Sequence, residues 1–224
     1  MSSPGDRGMR DELLAAAVGL LDDNGPDALQ ARKVVTAAGT STMAVYTHFG
    51  GMRTLIAAVA EEGRAQFDAA VRVPDSEDPV ADMLICGSAY RQFAIDRPHM
   101  YRLMFGSTSA HGIDAPGNNL LTMTIAEIRA QYAAFGQLVH IVQRCMRAGR
   151  ITSGSADDET AVITTSAQLW SVIHGFQMLE LAGYFGDDGA AVVPVLATTI
   201  GNLLVALGDT PERLMASLAE SGLV

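Results

Sequence analysis

Gly39-Thr-Ser-Thr-Met-Ala-Val-Tyr46-Thr-His48-Phe49 decides the reading of this chain. Its glycine permits the positive φ of a tight turn, and Ser41 is of a residue type that caps a following helix. Residues 42–49 then read as a short helix broken by Gly50-Gly51, with another short helix expected upstream over 29–37. The charge around this pair is lopsided. From residue 28 to residue 60 there is no Asp or Glu, whereas Arg32, Lys33 (the only lysine) and Arg53 are present, with His48 beside them. Two short helices joined by a glycine turn and free of negative charge describe a helix-turn-helix unit offered to phosphate.

Working outward, Leu13, Leu14, Ala17, Val18 and Leu21 recur at helical spacing, and Asn24-Gly25-Pro26 stops that helix. A longer helix is expected over 52–71. The Pro, Asp, Ser and Glu-rich stretch 73–79 is the clearest shift in composition. It sets the expected domains: a flexible arm over 1–9, a helix-turn-helix domain over 10–73 and a second domain over 74–224. Beyond the boundary Val80, Met83, Leu84, Gly87, Tyr90, Phe93 and Ala94 again keep three and four spacing. Pro98 opens a short helix to 105, residues 106–117 read as a loop, and helices are expected over 120–148, 159–185 and 189–207. Thr210-Pro211 opens a last short one, with Thr as cap and Pro in the first turn. No stretch alternates convincingly as a strand. The fold class is all α, with about nine or ten helices, an N-terminal three-helix reading head and a helical bundle behind it.

Composition narrows the function. The chain has 224 residues, 49% hydrophobic and 18% charged, which excludes intrinsic disorder. A net charge of −10 argues against a surface that coats nucleic acid or anionic membrane as a whole. Residues 73–224 alone hold 8 basic and 16 acidic residues, so any affinity for DNA belongs to the N-terminal patch. Cys86 and Cys145 read as small buried residues, not as a disulfide framework. His99, His111, His140 and His174 have no helical pairing with one another or with cysteine, so no metal is expected. No phosphate loop, nucleophile elbow or Ser-x-x-Lys is present. Neither catalytic residues nor a cofactor are expected. The N-terminus lacks an apolar run, and a cytoplasmic location is expected. Residues 160–179 and 189–207 are nearly charge-free, yet too rich in Thr, Ser, Gln and Asn to span a membrane.

The stretch from Gly39 to Phe49, with Leu55 six positions on, closely resembles the helix-turn-helix of TetR-family transcriptional regulators, over about residues 10–60. The resemblance implies that Thr42, Met43, Ala44 and Thr47 face the major groove, that Tyr46 and His48 hold phosphates, and that Arg32 reaches a base edge or a phosphate. Gln30, Lys33, Ser41 and Arg53 complete the expected DNA surface. Three positions depart from the family pattern: Met52 stands for its usual lysine, Gln30 for its opening Thr or Ser, and Val35 for a small Ala.

A second resemblance lies in Leu169-Trp170-Ser-Val-Ile-His174-Gly175, which is similar to the Trp-His-Gly signature of one TetR-family subclass. Trp170 and His174 are either core, with a satisfied imidazole, or ligand-facing. Tyr90, Phe93, Met100, Tyr101, Met104 and Phe105 crowd into sixteen residues of a chain otherwise poor in aromatics, and Trp170, Phe176 and Met178 form a second group. Ordinary core is one reading. A pocket for a small apolar ligand, lined by Phe93, Tyr101, Met104, Phe105, Trp170, His174 and Met178, is the other and is the one the resemblance favours. The resemblance thus implies a repressor that binds a palindromic operator as a homodimer and is released by such a ligand. The two charge-free helices, at about 160–185 and 189–207, would form the dimer contact. An activator, a ligand-independent regulator, and an all-α carrier or enzyme with a retained helix-turn-helix are the alternatives.

Overall fold

The computed structural model describes residues 4–105 and 118–223. Among them are eleven α-helices and no strand. The loop expected over 106–117 lies outside the described residues. Chain contacts divide the molecule into two compact units, residues 1–66 with 96–117, and residues 67–95 with 118–224.

In the first unit α1 (Pro4–Asn24) packs on α2 (Ala31–Ala37) and α3 (Thr42–Phe49). Helix α1 starts at Pro4, inside the segment expected to be an arm. Leu13, Ala17 and Leu21, each four apart, line the buried face of α1 and meet Val34 and Val35 of α2 and Val45 and Phe49 of α3 in the core. Leu55, Ile56, Val59 and Ala60 of α4 (Met52–Ala70) complete that core. The short helix expected after Pro98 is α6 (Pro98–Met104). It packs on α1 and buries Met100, Tyr101, Leu103 and Met104. A Cβ at Gly63 of α4 would stand 2.3 Å from Met100 Sδ, so a larger residue there would force the Met100 side chain to move. Arg97 bonds Asp22 at 2.5 Å and also Gln66, tying α6 to α1 and α4.

In the second unit, Asp78 starts α5 (Pro79–Asp96) by accepting the amides of Val80 and Ala81. The helix expected over 120–148 is three pieces: a short 3-10 turn (Leu120–Thr122), α7 (Ile125–Gln131) and α8 (Ala133–Arg147). Thr124 and Glu127 form a reciprocal capping box that starts α7 afresh. The chain then bends at Tyr132, where φ is −136° and ψ is 70°. Gly136 packs so tightly on Arg129 that an added Cβ would meet its Cα at 3.1 Å.

Asp158 caps α9 (Glu159–Leu181), which ends four residues sooner than the expected 185 and is followed by Gly183 at φ 85°. The helix expected over 189–207 opens as a π-helical stretch, Val192–Ala197, before α10 (Thr198–Leu207). Pro194 has no N–H to give to an earlier carbonyl, and Thr198 donates to the Val193 carbonyl through both its backbone N–H and its Oγ1. Thr210 caps α11 (Pro211–Glu220) as expected.

A buried ionic cluster locks the ends of the second unit together. Arg150 Nε and Nη2 donate to the two carboxylate oxygens of Asp209 at 2.9 and 2.7 Å, and its Nη1 donates to Asp78 at 2.9 Å. Ser217 of α11 accepts from Arg150 and donates to Asp78 at 2.5 Å. Beside it Arg144 bonds Asp82 and Asp75, and Ser76 donates to Asp82 at 2.6 Å. Both cysteines are buried, and burial pushes each thiol up to about 12, far from thiolate chemistry. No helix among the described residues is long and apolar enough to cross a membrane.

Candidate nucleic-acid interface and effector cluster

Val45 and Phe49, four apart on α3, point into the core, so the opposite face of this short helix is turned out. Met43 and Tyr46 on that face are 69% and 63% exposed. Ser41, Thr42 and Thr47 are exposed with them, and Ala44 and His48 are half-buried. Gly39 holds φ at 65°, as the turn between α2 and α3 needs, and Gly50 closes α3 in the left-handed region at φ 70°. Arg10 of α1 lies 4.9 Å over the Phe49 ring and braces the helix from behind.

Ser41 stands at the N-cap position with extended backbone, but its hydroxyl makes no capping bond, contrary to expectation. The side chain is exposed, where water can meet the orphan amides of the first turn equally well. Thr47 Oγ1 donates to the Met43 carbonyl at 3.0 Å, which fixes the hydroxyl and leaves its lone pairs outward. On α2, Arg32 and Lys33 are exposed and line one cleft of about 400 Å³ with Leu20, Thr36 and Ala37. Gln30 precedes α2, and its amide donates to the Asp27 carbonyl at 3.0 Å. Arg53, in the first turn of α4, is exposed.

The residues expected to line a ligand pocket are divided between the two units. Tyr101, Met104 and Phe105 belong with the first, where Tyr101 and Phe105 pack ring to ring at 4.7 Å. Phe93, Trp170, His174 and Met178 belong with the second. There Trp170 and His174 rings lie 5.5 Å apart, Phe135 stands 5.7 Å from Trp170, and Phe67 sits edge-on to both Tyr90 and Phe93.

Tyr90 is the hub. Trp170 Nε1 donates to its oxygen at 3.3 Å, and that oxygen lies 3.1 Å from His174 Nδ1. An indole N–H can only donate, and the phenolic oxygen has a second lone pair, so the imidazole tautomer decides which of Tyr90 and His174 donates in the other bond. Burial penalises the charged imidazole and holds its pKa below the ordinary 6.5. The linkage has a fixed sign. Above pH 6.5 folded and unfolded His174 are both neutral; below it the unfolded chain takes up the proton first, so this residue's contribution falls as pH falls. His174→Gln is expected to flatten the loss of melting temperature between about pH 7 and pH 5, and equal slopes for variant and wild type would refute the assignment.

Comparison with known proteins agrees with this geometry. Residues 13–59 match the family of bacterial regulatory proteins, tetR family, and residues 83–200, over half of the chain, match the tetracyclin repressor-like C-terminal domain. The chain belongs to the TetR family. Its N-terminal match covers α2 and α3 and is the DNA-binding domain.

Among solved structures, a Rhodococcus sp. RHA1 protein of unknown function is 26% identical, with a TM-score of 0.68 over 90% of this chain and 96% of that one. BioQ with its natural double-stranded DNA operator is 17% identical, with a TM-score of 0.57 over 88% and 98% of the two chains. A TetR variant from Acinetobacter baumannii AYE in complex with minocycline is 18% identical, with a TM-score of 0.57 over 90% and 95%. At these identities the last two show the TetR-like fold alone. No curated protein matched.

In this TetR-family chain the sequence reading omitted two groups that the second unit places beside the Tyr90 cluster. Arg91 of α5 grips Glu180 of α9 through Nε at 2.9 Å and Nη2 at 2.7 Å. Gln177 is fully buried on the same helix. A single charge in the otherwise neutral 160–185 segment was the signal for the first; nothing in sequence singled out the second.

Proposed function

We propose that this TetR-family regulator is a repressor, holding a palindromic operator as a homodimer and letting go when a small ligand binds its C-terminal domain. Residues 10–73 are its reading head and 74–224 its effector and dimerisation domain. The observation that carries the reading is the exposed face of α3. Met43 and Tyr46 stand out in water within a 33-residue stretch that has no acidic residue. A large apolar side chain left in water marks a surface made for a partner, and the lack of acid suits a phosphate backbone. Thr42, Met43, Ala44 and Thr47 read bases, and Arg32, Lys33, Tyr46, His48 and Arg53 hold phosphates, with Gln30 and Ser41 at the helix starts. BioQ, solved with its operator, and the Acinetobacter TetR, solved with minocycline, are precedents in the same fold for the two ligand classes.

The test is fluorescence anisotropy on duplexes from the region upstream of the chain's own gene, at about 150 mM salt. Tyr46→Phe combined with His48→Ala is expected to weaken operator and non-specific DNA alike, by about tenfold or more for two lost contacts. Met43→Ala is expected instead to change which sequence is preferred. Wild-type affinity in the double variant would sink the assignment.

A ligand releases DNA only by binding one state better than the other. The cluster around Tyr90 lies between α5 and α9, so a ligand entering there would bias the separation of those helices. That makes the cluster the favoured effector site over the Tyr101 and Phe105 pair.

A further inference from the structure

Gln177 has no hydrogen-bond partner. Its side chain is fully buried, and both Oε1 and Nε2 are unsatisfied. Other buried polar groups of the second unit are provided for: Asp82 by Ser76 and Arg144, Glu180 by Arg91, Asp209 by Arg150, and Ser166 by the Val162 carbonyl. A buried amide with neither end paired costs about 1–3 kcal/mol per group, and leucine or methionine would fill the same space without that cost.

Its position gives the orphan amide a context. Gln177 lies one turn beyond His174 and one turn before Glu180 on α9. Ile173, a turn earlier, packs 3.5 Å from the Cβ direction of Gly87 on α5, and Glu180 is held by Arg91 of α5. The amide therefore sits on the α5-facing side of α9, between the Tyr90, Trp170 and His174 network and the Arg91–Glu180 pair. His174 Nδ1 is taken by Tyr90, and Arg91 is engaged by Glu180 through two nitrogens. A carboxylate would find its nearest cation already neutralised. What satisfies both ends of Gln177 together is a neutral group with a donor next to an acceptor, as in a primary amide or a lactam.

We infer that Gln177 is the polar contact of the effector site, and that the effector carries a neutral amide-like donor–acceptor pair on an apolar body. This rests on the effector reading proposed above, and it departs from a wholly apolar ligand with His174 as its polar handle.

The experiment uses the full-length protein and a series of straight-chain primary amides from butanamide to decanamide. Each is paired with the isosteric methyl ketone, which replaces the amide NH2 by CH3, and with the matching carboxylate. Binding is read by titration calorimetry on wild type, Gln177→Leu and Gln177→Met. The expected result is that wild type binds its best amide at least about tenfold more tightly than the ketone of the same length, the equivalent of one hydrogen bond. The carboxylate is expected to bind no better than the ketone. In both variants the amide and ketone affinities should converge. Wild type that binds amide and ketone equally, or binds neither, overturns the inference; so does a folded variant that keeps the preference. Operator release is scored separately by anisotropy. Gln177-dependent amide binding with no release would leave the site standing and remove the release mechanism alone.

Discussion

Arg150→Met is expected to lower the unfolding free energy by about 3–5 kcal/mol, the largest stability loss foreseen for a single substitution in this chain. The guanidinium is nearly inaccessible, and three of its nitrogens are bonded to Asp209, Asp78 and Ser217. Methionine fills much of the volume but leaves Asp209, whose side chain has no exposed surface, without its two close bonds and with only Arg213 Nε at 3.8 Å. A buried carboxylate short of its partners is what makes the loss large; the intact cluster is worth much less against an apolar substitute. Arg150→Met in an Asp209→Asn background should therefore cost markedly less, a coupling that a double-mutant cycle reads directly. Urea unfolding at fixed protein concentration measures both, and a single-variant loss below about 1 kcal/mol would refute the account.

The same cluster sets an acid limit. Burial pushes the Asp78 carboxyl up, but bonds from Ser217, Val80 and Ala81 and the charge of Arg150 outweigh it and hold the pKa below 3.8. At Asp82 the bonds from Ser76 and Arg144 likewise outweigh burial. A depressed carboxyl stabilises the fold above its unfolded pKa, so this contribution is present above about pH 3.8 and is lost as pH falls below it.

None of that cluster was legible in the sequence. Asp78, Arg150, Asp209 and Ser217 are spread over 139 positions with no periodicity linking them, and only tertiary folding brings them together. Local chemistry, by contrast, could be read. Gly39, Gly50 and Thr210 sit where turn and cap rules put them, because those rules concern a few neighbouring backbone groups. The break before α7 was missed although its signal was present: Thr124 and Glu127 have the spacing of a capping box. Good helix formers on both sides hid it. The joining of α6 to the N-terminal unit brings Met100 against Gly63, a contact that no local pattern announces. The orphaned amide of Gln177 is of the same kind, since a buried polar residue and its lack of a partner are both tertiary facts.

Leu179→Glu is expected to abolish dimerisation and to weaken operator binding by at least about 100-fold, through loss of the second half-site. The outward stripe of α9 runs Thr164, Gln168, Ser171, Gly175 and Leu179, all exposed and none charged. The outward positions of the π-helical stretch and α10 continue it with Val193, Val195, Thr198, Asn202 and Val205, again without a charge. A solvated helix face normally carries charge, so two adjoining neutral faces call for a partner, and a second copy of the same pair closes a two-fold four-helix contact. A Cβ at Gly175 would meet no atom of this chain within 4 Å, which leaves room for a partner helix there. Gly201 has a different use, since its Cβ would stand 3.2 Å from Leu214 of α11. Leu179 is 45% exposed in the single chain, so glutamate there costs the monomer little and the assembly a great deal. An obligate interface of this kind should bury upwards of about 2,000 Å². Its axis would then set two α3 helices about one DNA turn apart or more. Light scattering, circular dichroism and anisotropy on the same samples decide the matter: a helical, monomeric variant without operator affinity is the expected triple. A wild-type monomer at micromolar concentration, or a Leu179→Glu dimer that still binds the operator, would end this account of how the reading heads are paired.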